Sequence, residues 1–132
     1  MDGFLDGVLK CRTRLHPEYL ACETMPKMEN GYECTRRLMN LDDPPQAIVG
    51  CTGDVTLGVV KYLIEHPELE GKITVSGFDD FDFLSFLKIP VTTVAQKTGE
   101  MGRQAATILL ERLYGDPTGQ RRVFLETVLV ER

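Results

Sequence analysis

Residues 47–80 read AIVGCTGDVTLGVVKYLIEHPELEGKITVSGFDD. The run opens on a continuously apolar piece, AIVGC (47–51), of the kind a strand buried on both faces carries, which predicts a central strand. After the turn TGD (52–54), Val55, Val59, Val60, Leu63 and Ile64 recur at helical spacing until Pro67 stops them. KITVSG (72–77) then returns to the strand pattern, with Gly77 expected to end it. Strand, helix and strand in this order make a right-handed crossover and imply a parallel sheet.

Outward from this unit the alternation continues in both directions. Upstream, Phe4, Leu5, Val8 and Leu9 share one helical face, and YLACE (19–23) reads as a short strand. ENGYECTRRLMN (29–40) reads as a helix with Asn30 and Glu33 at capping-box spacing and Tyr32, Thr35, Leu38 and Met39 facing inward. DDPP (42–45) breaks the chain before AIVGC. Downstream, PVTTVA (90–95) is a strand and TGEMGRQAATILLERLYG (98–115) a helix with Met101, Ala105, Ile108, Leu109 and Leu113 inward. Gly115 stands where a left-handed residue would end that helix, and RVFLETVLV (122–130) is the closing strand. The fold class is α/β: a doubly wound, mainly parallel sheet with helices on both faces.

The chain has 132 residues, 42% of them hydrophobic and 27% charged, which suits one domain with a buried core. Its net charge of -5, with no basic run longer than the pairs Arg36-Arg37 and Arg121-Arg122, makes this chain by itself a poor nucleic-acid binder. No apolar run is long enough to cross a membrane, and residues 1–15 carry charges and no signal-peptide core, so the cytoplasm is the expected compartment. Cys11, Cys22, Cys34 and Cys51 match neither a CxxC pair nor a zinc spacing, and are expected as reduced thiols in the core.

In parallel sheets wound with helices, ligands sit outside the carboxyl ends of the strands. Three loops qualify: TMPKM (24–28), TGD (52–54) and GFDDFD (77–82). Asp79 is the candidate ligand contact, because its two oxygens can accept bonds from adjacent hydroxyls and charge strengthens such bonds. Asp80 is expected to be structural and Asp82 a solvated turn residue. Phe81, Phe83 and Phe86 are expected in the core, with Phe78 left open as a ligand platform. Thr52 either offers a hydroxyl to the ligand or closes the turn, and Asp54 is expected to cap the helix that follows. His16 and His66, each before a proline, read as surface or capping residues. There is no GxGxxG, no P-loop and no nucleophile–base pair, so neither catalysis, a cofactor nor a metal is expected. A magnesium-dependent phosphatase-like or receiver-like site built on Asp79 and Asp80 would need Asp54 and Lys97 to complete it, and ranks behind binding.

AIVGCTGDVTLGVVKYL, ITVSGFDD, IPVTTVAQ, MGRQAATILLERL and LVER fall in an order and spacing that resembles the effector-binding core of LacI/GalR-type transcriptional regulators. The resemblance implies a two-lobed, periplasmic-binding-protein-like core behind a helix-turn-helix domain. MDGFLDGVLK is similar to the helix that opens the second lobe, so residues 1–132 are expected to be that lobe, with 92–114 resembling a segment that returns to the first. It also implies a small-molecule effector, such as a sugar or related metabolite, held by Asp79, Thr52, Gly53 and Phe78. Thr52 and Gly53 stand where the family commonly has Asn and Asp, and Asp54 would take over the helix cap one residue later. DNA would be bound only through the helix-turn-helix domain, and the regulator would work as a homodimer. The competing expectation is a periplasmic solute-binding protein for transport, which shares the fold.

Overall fold

The computed structural model describes residues 2–11, 15–21, 24–115 and 119–132. In chain order the elements are α1 (Asp2–Lys10), α2 (Met28–Met39), β1 (Ala47–Val49), α3 (Gly53–Glu65), β2 (Thr74–Phe78), β3 (Val91–Ala95), α4 (Thr98–Leu113) and β4 (Val128–Val130). Short 3-10 turns lie at Pro17–Tyr19, Pro67–Leu69 and Asp82–Phe86. The strands form one sheet in the order β1-β2-β3-β4. The first three run parallel, with Ile48 opposite Val75 and Val75 opposite Val91, and β4 closes the sheet antiparallel, with Thr93 opposite Val130. This is the parallel-dominated α/β sheet flanked by helices that the alternating pattern predicts.

The core forms where the apolar face of α3 meets the sheet: Val59, Val60 and Leu63 bury against Ile48, Val75 and Val91. α2 lies on α3 at very short range, and two glycines allow it. A Cβ on Gly31 would stand 2.3 Å from the Val55 carbonyl oxygen, and one on Gly58 would stand 2.2 Å from that of Met28. Thr35 and Leu38 are buried, and Tyr32 and Met39 half-buried, as their spacing predicts. Gly115 has φ +93° just past the end of α4, the left-handed stop that was expected.

Several expectations are corrected. AIVGC forms only the three-residue β1, which lies at the edge of the sheet among the described residues and leaves Val49 54% exposed. Among the described residues of YLACE, 19–21, none is in a strand that would cover it. Tyr19 belongs to a 3-10 turn, Leu20 and Ala21 have no regular structure, and Cys22 and Glu23 lie outside the described residues. The capping box of α2 is not made, because the helix starts two residues before Asn30. The Asn30 amide instead donates to the Met25 carbonyl at 2.7 Å, and Glu33 pairs with Arg36.

The closing strand is confined to Val128–Val130. Cys11 and Cys51 are exposed and Cys34 half-buried, because the first two follow the ends of α1 and β1; Cys22 lies outside the described residues. In the Asp82–Phe86 turn Leu84 takes the core position, leaving Phe83 half-exposed and Phe86 85% exposed. α4 has no buried residue at all: Met101, Ala105, Leu109 and Leu113 are exposed and Ile108 half-buried. Leu9 and Ile64 are likewise exposed, and Phe4 is at the margin of exposure.

Candidate functional site

β2 runs one residue past Gly77, to Phe78, and the chain then turns at Asp79 with φ +63°. This left-handed conformation is uncommon outside glycine, and Asp is among the residues that tolerate it. The Asp79 N–H still donates to the Val94 carbonyl at 3.1 Å, so pairing with β3 persists through the turn. The side chain is held from two sides. Oδ2 accepts from the Gly53 N–H at 3.3 Å, and Oδ1 accepts from Gln96 Nε2 at 2.6 Å.

Gly53 is the first residue of α3, so Asp79 places negative charge at a helix N-terminus and satisfies one of its unpaired donors. A side chain at 53 would obstruct this, since a Cβ there would stand 2.8 Å from the Phe81 ring and 3.1 Å from Asp79 Oδ2. The helix cap is Thr52 and not Asp54. Thr52 has extended backbone angles and its Oγ1 accepts from the Val55 N–H at 3.3 Å, while Asp54 is already inside the first turn and points to solvent. There its charge favours the helix dipole without capping.

Asp80 turns the other way, toward the sheet. Its carboxylate accepts from Arg132 with both oxygens, at 2.7 and 3.1 Å, and from the Thr93 hydroxyl at 2.6 Å. Those bonds, Arg132 first and Thr93 second, hold the Asp80 carboxyl below the usual carboxylate range, and the same contact raises the Arg132 guanidinium. This is the structural role expected for Asp80.

The fold therefore brings Asp79, Thr52 and Gly53 to one rim at the carboxyl ends of β1 and β2, with Phe78 half-buried beside them. Two participants were not foreseen. Gln96 follows β3 and Arg132 follows β4; each ends one of the blocks that carry the family resemblance, IPVTTVAQ and LVER, but neither was assigned a role there. His66 ends α3 and its Nδ1 donates to the Tyr62 carbonyl at 2.7 Å, a capping role as expected. Among the described residues no three of His, Cys, Asp and Glu are grouped to hold a metal ion. The rim is chemically suited to hydroxyl groups. Each carboxylate oxygen of Asp79 keeps accepting capacity beyond its one bond, and the Thr52 hydroxyl keeps its proton to donate.

Residues 1–132 match the periplasmic binding protein-like domain family along their whole length. The chain belongs to that family. Among curated proteins it is 31% identical over 113 residues to the HTH-type transcriptional repressor PurR of Haemophilus influenzae (strain PittEE), covering 85% of this chain and 33% of PurR. It is 28% identical over 137 residues to the HTH-type transcriptional repressor CytR of Escherichia coli (strain K12), covering all of this chain and 39% of CytR. Among solved structures, a LacI family transcriptional regulator from Lactobacillus casei with bound sucrose superposes with a TM-score of 0.76 at 27% identity, over 99% of this chain and 48% of that one. The chain thus spans about a third to two-fifths of the curated relatives it matches. PurR and CytR are HTH-type transcriptional repressors and the Lactobacillus casei protein is a LacI family regulator, so the family resemblance carried by the five sequence blocks is borne out. No helix among the described residues is long and apolar enough to cross a membrane.

Proposed function

We propose that residues 1–132 form the effector-binding second lobe of a bacterial transcriptional regulator, and that the effector is a sugar or related polyhydroxyl metabolite held at the rim by Asp79. The observation that carries this reading is the Asp79 carboxylate, fixed between Gly53 and Gln96 with accepting capacity to spare. Thr52 and Gly53 complete the rim, Gln96 joins it, and Phe78 lies alongside. The function is binding without bond making or breaking. An effector seated between this lobe and a first lobe favours one lobe arrangement, and a homodimer passes the change to its DNA-binding domains.

Residues 92–114 fit as the segment that reaches the first lobe, since α4 has no fully buried residue and leaves Met101, Leu109 and Leu113 exposed. The net charge of -5 agrees with DNA contact through another domain, and the regulator would act in the cytoplasm. The repressor names of its relatives favour regulation over transport. The bound sucrose of the Lactobacillus casei regulator favours a sugar.

The test is a thermal-shift screen of the intact protein against sugars, sugar phosphates and purines, since binding to the native state raises apparent stability. Asp79→Ala should then weaken binding of the compound found by roughly 1.5–3 kcal/mol, the range for a lost charged hydrogen bond. Equal affinity of variant and parent by calorimetric titration would remove Asp79 from the site.

A further inference from the structure

Asp79 and Asp80 are consecutive, yet their side chains are fastened in different directions. Asp79 reaches α3 through Gly53 and the exit of β3 through Gln96. Asp80 reaches back to the sheet, where Thr93 is fully buried and the side chains of the Arg132–Asp80 pair are 19% and 21% exposed. A planar guanidinium bonded to both oxygens of a carboxylate fixes direction as well as distance. Arg132 is itself secured, donating to the Val91 carbonyl at 3.4 Å and the Thr93 hydroxyl at 3.3 Å. The antiparallel pairing of β4 with β3 delivers it to this point.

Rotating the peptide between Asp79 and Asp80 would disturb both sets of bonds. A left-handed aspartate persists only where its surroundings over-determine it, and here the second fastening lies on the next residue. We infer that Arg132 is a positioning residue: acting through Asp80, it holds Asp79 in its left-handed conformation and so sets the aim of the rim carboxylate without touching the ligand. The part of this inference that concerns affinity rests on the reading of Asp79 as the effector contact. The part that concerns geometry does not. It also makes the rim sensitive to the strand that follows α4, since a shift of β4 along β3 would pull on Asp80.

The test compares Arg132→Met and Arg132→Lys with the parent in the intact protein by hydrogen exchange, reading the Gly53 amide, which donates to Asp79, against the amides of Val59 and Val75 in the core. Arg132→Met should speed exchange at Gly53 by about tenfold relative to those core amides, with Lys restoring part of the protection because it keeps the charge and loses the fork. Unchanged exchange at Gly53, or an equal rise at all three amides, would overturn the positioning role. Should Arg132→Met fail to fold, Asp80→Asn removes the same charge pairing and is read the same way. The exchange measurement uses no effector, so it stands if Asp79 proves not to be a ligand contact. If the screen yields a sugar that binds Arg132→Met as tightly as the parent while Gly53 exchange rises, the link from position to affinity is refuted.

Discussion

Thr52 and Asp54 are both good N-cap residue types, and only the backbone decides between them. Because Thr52 is the extended residue whose hydroxyl meets the Val55 N–H, Thr52→Ala should cost about 1 kcal/mol in urea unfolding, and Asp54→Ala only a few tenths. The reverse ranking would return the cap to Asp54. Asp80 gives a prediction in pH. Its folded carboxyl lies below the ordinary aspartate range, so its bonds stabilise fully above the unfolded value of about 3.9 and are lost as pH falls through the lower folded value. Asp80→Asn should therefore be less stable than the parent at neutral pH, with the gap closing in acid. A gap equally wide at both ends would mean that charge is not what Asp80 contributes. The sequence showed Asp79 because it stands at a strand exit beside a recognisable Gly-Phe. Gln96 and Arg132 carried no such mark, since a partner 17 or 52 residues away leaves no local pattern.

Elements with a long period were legible, and short ones were not. α3, β2 and β3 begin and end within two residues of their periodic runs, because the burial of repeated apolar positions outweighs local detail; α4 does so without a buried residue, on a run rich in helix formers that ends at Gly115. Residues 19–21 of YLACE and the ends of AIVGC differ from expectation for the opposite reason: a short apolar run describes a residue set that wants cover and does not say whether a strand supplies it. The same gap affects α4, whose pattern predicts an apolar face but not the surface that meets it. The α2–α3 crossing offers a sharp test. Gly58→Ala places a methyl 2.2 Å from the Met28 carbonyl oxygen and 2.5 Å from the Tyr32 nitrogen, both backbone atoms, so the helices must separate. A loss of about 2 kcal/mol or more is expected in urea unfolding. A near-neutral effect would show that α2 is free to move off α3.

Taken as a whole, the chain leaves apolar surface open along α4, at Leu109, Leu110 and Leu113, and nearby in the chain at Phe124 and Leu129. Patches of this kind seek cover. Residues 1–132 produced alone should therefore self-associate, and light scattering across a concentration series should show mass rising with concentration. A constant monomer mass would mean that α4 needs no partner surface. The strand order has a different consequence, one for synthesis. Since β1, β2, β3 and β4 lie side by side in the order they are made, each strand finds its neighbour already translated. The parallel unit of three strands is complete in sequence before α4 begins, and the antiparallel strand pairs only after α4 has been made. Until β4 pairs with β3, Asp80 has no guanidinium to meet, so the rim would take its final shape only once residues 128–132 are in place.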